Sequence, residues 1–157
     1  MSYKKLSADI KKNEIRRVSI LFGSEVYLID KGMESLRNSI VTAFPELNYT
    51  LLDGEKVKAD EVAAACGTFP FGTERRLVVV RDLKLLKGTR SEGDEEQLPS
   101  GEQKDFIDVV SSVPDTCCLV FVCYGSVDKR KKLFGEIKKQ GAVYEFERVE
   151  REDLSTW

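Results

Sequence analysis

The 157-residue chain contains no histidine. That absence removes the Ser-His-Asp and Cys-His constellations, and it leaves no side chain with an unperturbed pKa near neutrality. The four cysteines, Cys66, Cys117, Cys118 and Cys123, include no C-x-x-C pair. Adjacent Cys117 and Cys118 point to opposite faces of a strand, which suits neither a zinc site nor a mutual disulfide. Buried, reduced thiols are therefore expected. No apolar run approaches the roughly 20 residues of a membrane span. The opening "MSYKKLSADIKKNEIRR" has no hydrophobic signal region, so a cytoplasmic address is expected. Neither sign of charge dominates. Against 27 Asp and Glu stand 25 Lys and Arg, net −2, and nothing global draws the chain onto a polyanion.

What is present is an alternation of strand and helix. The composition, 41% hydrophobic and 33% charged, is that of a soluble globular protein with room for one real core. Leu6 and Ile10, four residues apart, predict a short surface helix. Arg17 to Phe22 reads as a strand, and Glu25 to about Phe44 as a helix that buries Leu28, Ile29, Leu36, Ile40 and Val41 and is stopped by Pro45. Strands follow at Asn48–Leu52, Leu77–Val80, Thr116–Tyr124 and Ala142–Phe146. Helices are expected at "DEVAAACG", capped by Asp60 and ended by Gly67, at Gln103–Val113, and at Lys129–Lys139. The segment Gly88 to Gly101, rich in charge, Gly, Ser and Pro, reads as a solvated loop. Five such alternations predict an α/β fold with a five-stranded, mostly parallel sheet and helices on both faces.

The stretch "VSILFGSEVYLIDKG", Val18 to Gly32, has the strand–turn–helix form that holds nucleotide phosphates at a helix N-terminus. The side chains for that task are missing. A phosphate loop reads G-x-x-x-x-G-K-[ST]. Here only Gly23 survives, the loop holds no lysine, and Glu25 would repel a phosphate. The stretch "LVVVRDLK" offers Asp82 as a magnesium-holding acid at the end of a strand, and a solvated charge or helix cap is the plainer reading. The scaffold fits a nucleotide enzyme and the catalytic parts do not.

Two stretches remain to be explained. "GTFPFG", Gly67 to Gly72, places two phenylalanines and a proline between glycines. Either Phe69 and Phe71 fold into the core, or proline and glycine stiffen a turn that presents an apolar plug to a partner. In the second reading Phe71 stands exposed and Phe69 packs more inwardly. "DKRKKL" places Lys129, Arg130, Lys131 and Lys132 in a row. These are candidate phosphate contacts, although a solvated helix face is the commoner outcome and no aromatic residue is interleaved to stack a base.

The blocks "ILFGSEVYLID", "NYTLLDGEKV", "FPFGTERRLVVVRDLKLL" and "CCLVFVCYGSVDKRKKLFGEIKKQGAVYEFERV", in this order, resemble the N-terminal part of the delta subunit of bacterial DNA polymerase III, over about Val18 to Trp157. The resemblance implies a degenerate P-loop, AAA+-like domain with strand order 5-1-4-3-2 and no nucleotide hydrolysis, cofactor or metal. It implies a clamp-loader subunit in DNA replication that grips the ring-shaped sliding clamp and helps hold it open. The family's clamp-binding pair falls on Pro70 and Phe71, with Phe69, Gly72 and Thr73 beside it. Proline stands where many relatives carry leucine. Further partners implied are the other loader subunits, through domains beyond this chain, and DNA only weakly. Residues 1–147 would form the clamp-binding domain, and 148–157 the start of a truncated lid-like domain. The alternatives are a divergent P-loop ATPase or kinase, and a nucleic-acid-binding module built on Lys129–Lys132.

Overall fold

The computed structural model describes residues 2–87 and 100–146. The expectations for Gly88–Pro99 as a solvated loop, and for 148–157 as the start of a lid-like domain, lie outside the described residues. In chain order the elements are α1 (Ser2–Lys11), β1 (Val18–Gly23), α2 (Val26–Ile40), α3 (Pro45–Asn48), β2 (Tyr49–Asp53), α4 (Ala59–Cys66) and β3 (Arg76–Arg81). A 3-10 turn, Lys84–Leu86, follows β3. Then come α5 (Ser100–Ser111), β4 (Cys117–Tyr124), α6 (Lys132–Gln140) and β5 (Ala142–Glu145).

Among the described residues all four strand pairings are parallel, in the order β2-β3-β4-β1-β5. Read from the other edge this is 5-1-4-3-2, the order the resemblance implied. β4 is buried along almost its whole length because it lies at the centre, covered on both faces. Its alternate side chains divide between two cores. Cys117, Leu119, Phe121 and Cys123 pack under α4, α5 and α6 with Val62, Phe106 and Ile137. Cys118, Val120 and Val122 pack under α1 and α2 with Leu6, Ile29 and Leu36. The four cysteines are free and buried, as expected. Burial raises the Cys118 thiol pKa, and burial with the nearby Asp82 carboxylate pushes that of Cys123 up to about 12. Each fully buried aliphatic or aromatic side chain contributes about 1.5–3 kcal/mol, so these two layers supply most of the driving force.

Several boundaries differ from expectation. The second helix ends at Ile40, and Pro45 opens a new turn of helix instead of stopping the old one. Proline at the first helical position loses no hydrogen bond, since that N–H would be unpaired anyway. α4 starts at Ala59, one residue before Asp60; Lys58 is its N-cap, and the Glu61 carboxylate accepts the Lys58 backbone N–H at 2.8 Å. α5 starts at Ser100, so Ser100 and Gly101 are helical and not loop. The last helix starts at Lys132, not Lys129. Asp128 Oδ1 accepts the Arg130 N–H at 3.0 Å, which holds 128–131 in a turn.

Candidate functional site

In a parallel sheet every strand begins at the same end, and here the two ends carry different features. Gly23 closes β1 at the C-terminal end, where a phosphate loop would lie. Its φ is +137°, and a Cβ there would stand 2.2 Å from the Phe146 carbonyl oxygen. That oxygen also accepts the Glu25 N–H at 2.9 Å, while Gly23 and Gly125 exchange backbone hydrogen bonds of 3.0 and 2.8 Å. Protein backbone thus occupies hydrogen-bonding positions that a phosphate cradle needs. Asp82 is likewise engaged. Its Oδ1 accepts the Tyr124 N–H at 3.2 Å and lies 3.5 Å from Lys87 Nζ, tying the ends of β3 and β4 together. Among the described residues no group of three or more His, Cys, Asp or Glu side chains could hold a metal ion.

The basic run lies at this same end. Lys129 Nζ is 2.9 Å from a Glu145 oxygen and sits over the Phe22 ring, 5.6 Å from its centroid. Arg130 reaches back to Asp128 through Nε at 3.0 Å and Nη2 at 3.2 Å. The Asp128 carboxyl pKa is held below its usual range chiefly by those hydrogen bonds. Lys131 caps α6 as its N-cap residue, and Lys132, the first residue of the helix, is exposed. Two of the four cations are therefore already paired.

The opposite end, where β2 and β3 begin, carries the "GTFPFG" turn. Phe69 is 80% exposed and Phe71 58% exposed, with Pro70 half-buried between them. Neither phenylalanine enters the core. The expectation that Phe69 packs inwardly is overturned, because the segment from Gly67 to Arg75 runs outside the sheet and offers Phe69 no facing layer. Phe71 is supported from beneath instead. Asn48, 0% exposed at the end of α3, accepts the Phe71 N–H at 2.7 Å through Oδ1. Its Nδ2 donates to the carbonyls of Phe71 at 2.7 Å and Ala43 at 2.8 Å. Gly72 continues in a left-handed conformation, φ +78°, and Thr73 Oγ1 donates to the Arg75 carbonyl at 2.7 Å.

The root of the turn is stapled by two arginines. Arg75 Nη1 donates to Ile15 O at 2.8 Å. Arg76, 5% exposed, donates to Leu47 O at 3.0 Å and Thr50 Oγ1 at 2.6 Å. A cation at the carbonyl end of a helical turn is favourably placed.

Sequence reasoning missed Phe44, Leu47 and Asn48. Phe44 is 47% exposed and its ring stands edge-on to Phe71, with centroids 4.9 Å apart. It is held at φ 50°, ψ 61°, a left-handed conformation that costs a non-glycine residue on the order of 1–3 kcal/mol. Leu47 is 51% exposed. The one available signal was "FPELN", an apolar residue ahead of an N1 proline with another three positions on.

Residues 20–147 match the family described as DNA polymerase III, delta subunit. The chain belongs to that family. A curated relative, DNA polymerase III subunit delta of Bacillus subtilis, is 31% identical over 137 residues, which cover 87% of this chain and 39% of the relative. The solved structure of the Bacillus subtilis DNA clamp loader delta protein matches with a TM-score of 0.84 at 25% identity, covering 98% of this chain and 45% of that one. A DNA polymerase III gamma subunit-related protein from Thermotoga maritima shares the fold, with a TM-score of 0.58 at 15% identity over 99% of this chain and 48% of that one. The chain thus spans less than half the length of these delta-subunit relatives. Among the described residues no helix is long and apolar enough to cross a membrane.

Proposed function

We propose that this domain is the clamp-gripping part of a clamp-loader delta subunit: a non-catalytic element that inserts the Phe69–Pro70–Phe71 turn into an apolar pocket of the sliding clamp and helps hold the ring open. The observation that carries this reading is the exposure of Phe71 on a turn whose backbone is clasped on both sides by the buried Asn48. A flexible apolar loop would pay for ordering when it binds; a clasped one has little left to lose. Pro70 restricts the same turn further, so its replacement of the commoner leucine trades contact for stiffness.

The absence of nucleotide hydrolysis belongs to the same reading. Support comes from the Phe146 carbonyl on the Glu25 N–H, from the glutamate itself, and from the engagement of Asp82 between strands. Contact with DNA by Lys129–Lys132 would be weak, because Lys129 and Arg130 are paired with carboxylates. The other loader subunits remain expected partners through domains outside this chain.

The direct test is titration of the domain with the sliding clamp of the same organism, with Phe71→Ala alongside. Binding by the parent and a loss of about thirtyfold to a thousandfold in the variant, with an unchanged melting transition, are expected. A parent domain that ignores the clamp, or a variant that binds as well as the parent, would sink the proposal.

A further inference from the structure

The apolar surface around Phe71 does not end with the turn that carries it. Phe44, the N-cap residue of α3, and Leu47, within that turn of helix, both stand about half exposed at the corner between α2 and α3. Asn48, one residue on, faces the interior. The Phe44 ring meets Phe71 edge-to-face, and this contact depends on Gly72. A Cβ at position 72 would stand 3.0 Å from two atoms of the Phe44 ring. The Asn48 amide bonds Ala43 on one segment and Phe71 on the other, locking both into one register. Scattered exposed apolar residues carry no message, but a contiguous patch built from two segments and joined by a buried polar lock does.

We infer that the clamp-docking surface is composite, with Phe44 and Leu47 of the α2–α3 corner entering the same apolar pocket of the ring as Phe71. The inference rests on the proposed clamp-binding role. The left-handed backbone at Phe44 lets its carbonyl accept the N–H groups of Leu47 and Asn48 and sets its ring on Phe71, with nearly half of the residue's surface still open to solvent. Burial of that open face against a partner is favourable in the same way as burial of Phe71. Leu47, 51% exposed three residues after Phe44, adds apolar surface at the same corner.

Three variants separate the cases: Phe44→Gly, which keeps the left-handed backbone without strain, Leu47→Ala, and Phe44→Gly combined with Phe71→Ala. Clamp affinity and thermal unfolding are measured for each. Phe44→Gly is expected to weaken clamp binding about tenfold or more and Leu47→Ala about threefold, both with native-like unfolding transitions. The double variant is expected to bind more weakly than Phe71→Ala alone. If Phe44 merely buttresses Phe71, the double variant equals Phe71→Ala, and the inference fails. It also fails if both single variants bind within twofold of the parent while Phe71→Ala is impaired, an outcome that leaves the clamp-binding role standing. A parent domain that does not bind the clamp overturns both.

Discussion

Asn48 and Phe71 exchange two hydrogen bonds of 2.7 Å, the amide oxygen accepting from the Phe71 N–H and the amide nitrogen donating to its carbonyl. A primary amide carries an acceptor oxygen and a donor nitrogen side by side, spaced to meet the N–H and the carbonyl of one residue. Removing it leaves three backbone groups, on Phe71 and Ala43, without partners. Asn48→Ala should cost about 2 kcal/mol, since net losses of roughly 1–3 kcal/mol follow when buried groups lose their partners. The melting temperature should fall by roughly 4–8 °C for a domain of this size. Clamp affinity should fall as well, because the turn is released. Scanning calorimetry showing an unchanged transition would mean that the clasp contributes nothing.

Phe69 gives a sharper test of the free turn. At 80% exposure it has almost no burial to lose, so Phe69→Ala should leave stability within about 0.5 kcal/mol of the parent. A core phenylalanine would cost about 3–5 kcal/mol. Denaturant unfolding distinguishes the two. Pro70→Leu, which restores the commoner pairing of the family, should bind the clamp at least as well as the parent.

The closed end of the sheet makes its own prediction. Calorimetric titration with ATP and magnesium should give no saturable micromolar site. Gly23→Ala should destabilise the domain by about 3 kcal/mol or more, because left-handed strain adds to a clash with the Phe146 carbonyl.

DNA binding should be weak and salt-dependent. With Lys129 and Arg130 already paired, the log–log slope of affinity against salt should correspond to about two phosphate contacts rather than four. Fluorescence anisotropy at several salt concentrations measures it; a steep slope with nanomolar affinity would show that those ion pairs open readily.

At alkaline pH the stability should depend on Tyr124. Burial, and then its hydrogen bond to Asp30, push its hydroxyl up to about 12 from an ordinary value of 10.0. The folded state therefore holds the proton that the unfolded chain gives up. This contribution is complete below about pH 10 and is lost as pH rises toward 12. Tyr124→Phe should flatten that part of the decline, as followed by unfolding at a series of pH values.

The sheet was legible because its signals are local. "LVVV" and "CCLVFVCY" are apolar in succession, as strands covered on both faces must be, and the helices between them keep their period. The turn that carries Phe71 was less legible because what holds it is remote. Asn48 lies 23 residues from its partner Phe71, and nothing in "ELNYT" distinguishes a clasp from an ordinary strand start. Phe69 misled for a different reason. Aromatic residues belong to cores by default, and only the path of the chain outside the sheet shows that no core is within its reach. Lys129–Lys131 looked helical by charge and spacing until the Asp128 side chain, competing for the backbone, delayed the helix.

The hydrogen bond from the Glu25 amide to the Phe146 carbonyl bears on what the proposed loss of nucleotide binding would mean for the chain. Had only side chains changed, a lysine restored near Gly23 and a neutral residue at position 25 would bring phosphate affinity back. Here the competitor is main chain, which no substitution deletes. On the proposed reading, a phosphate seat here would need Phe146 to move away from Glu25, a change in the path of the chain and not in its lettering.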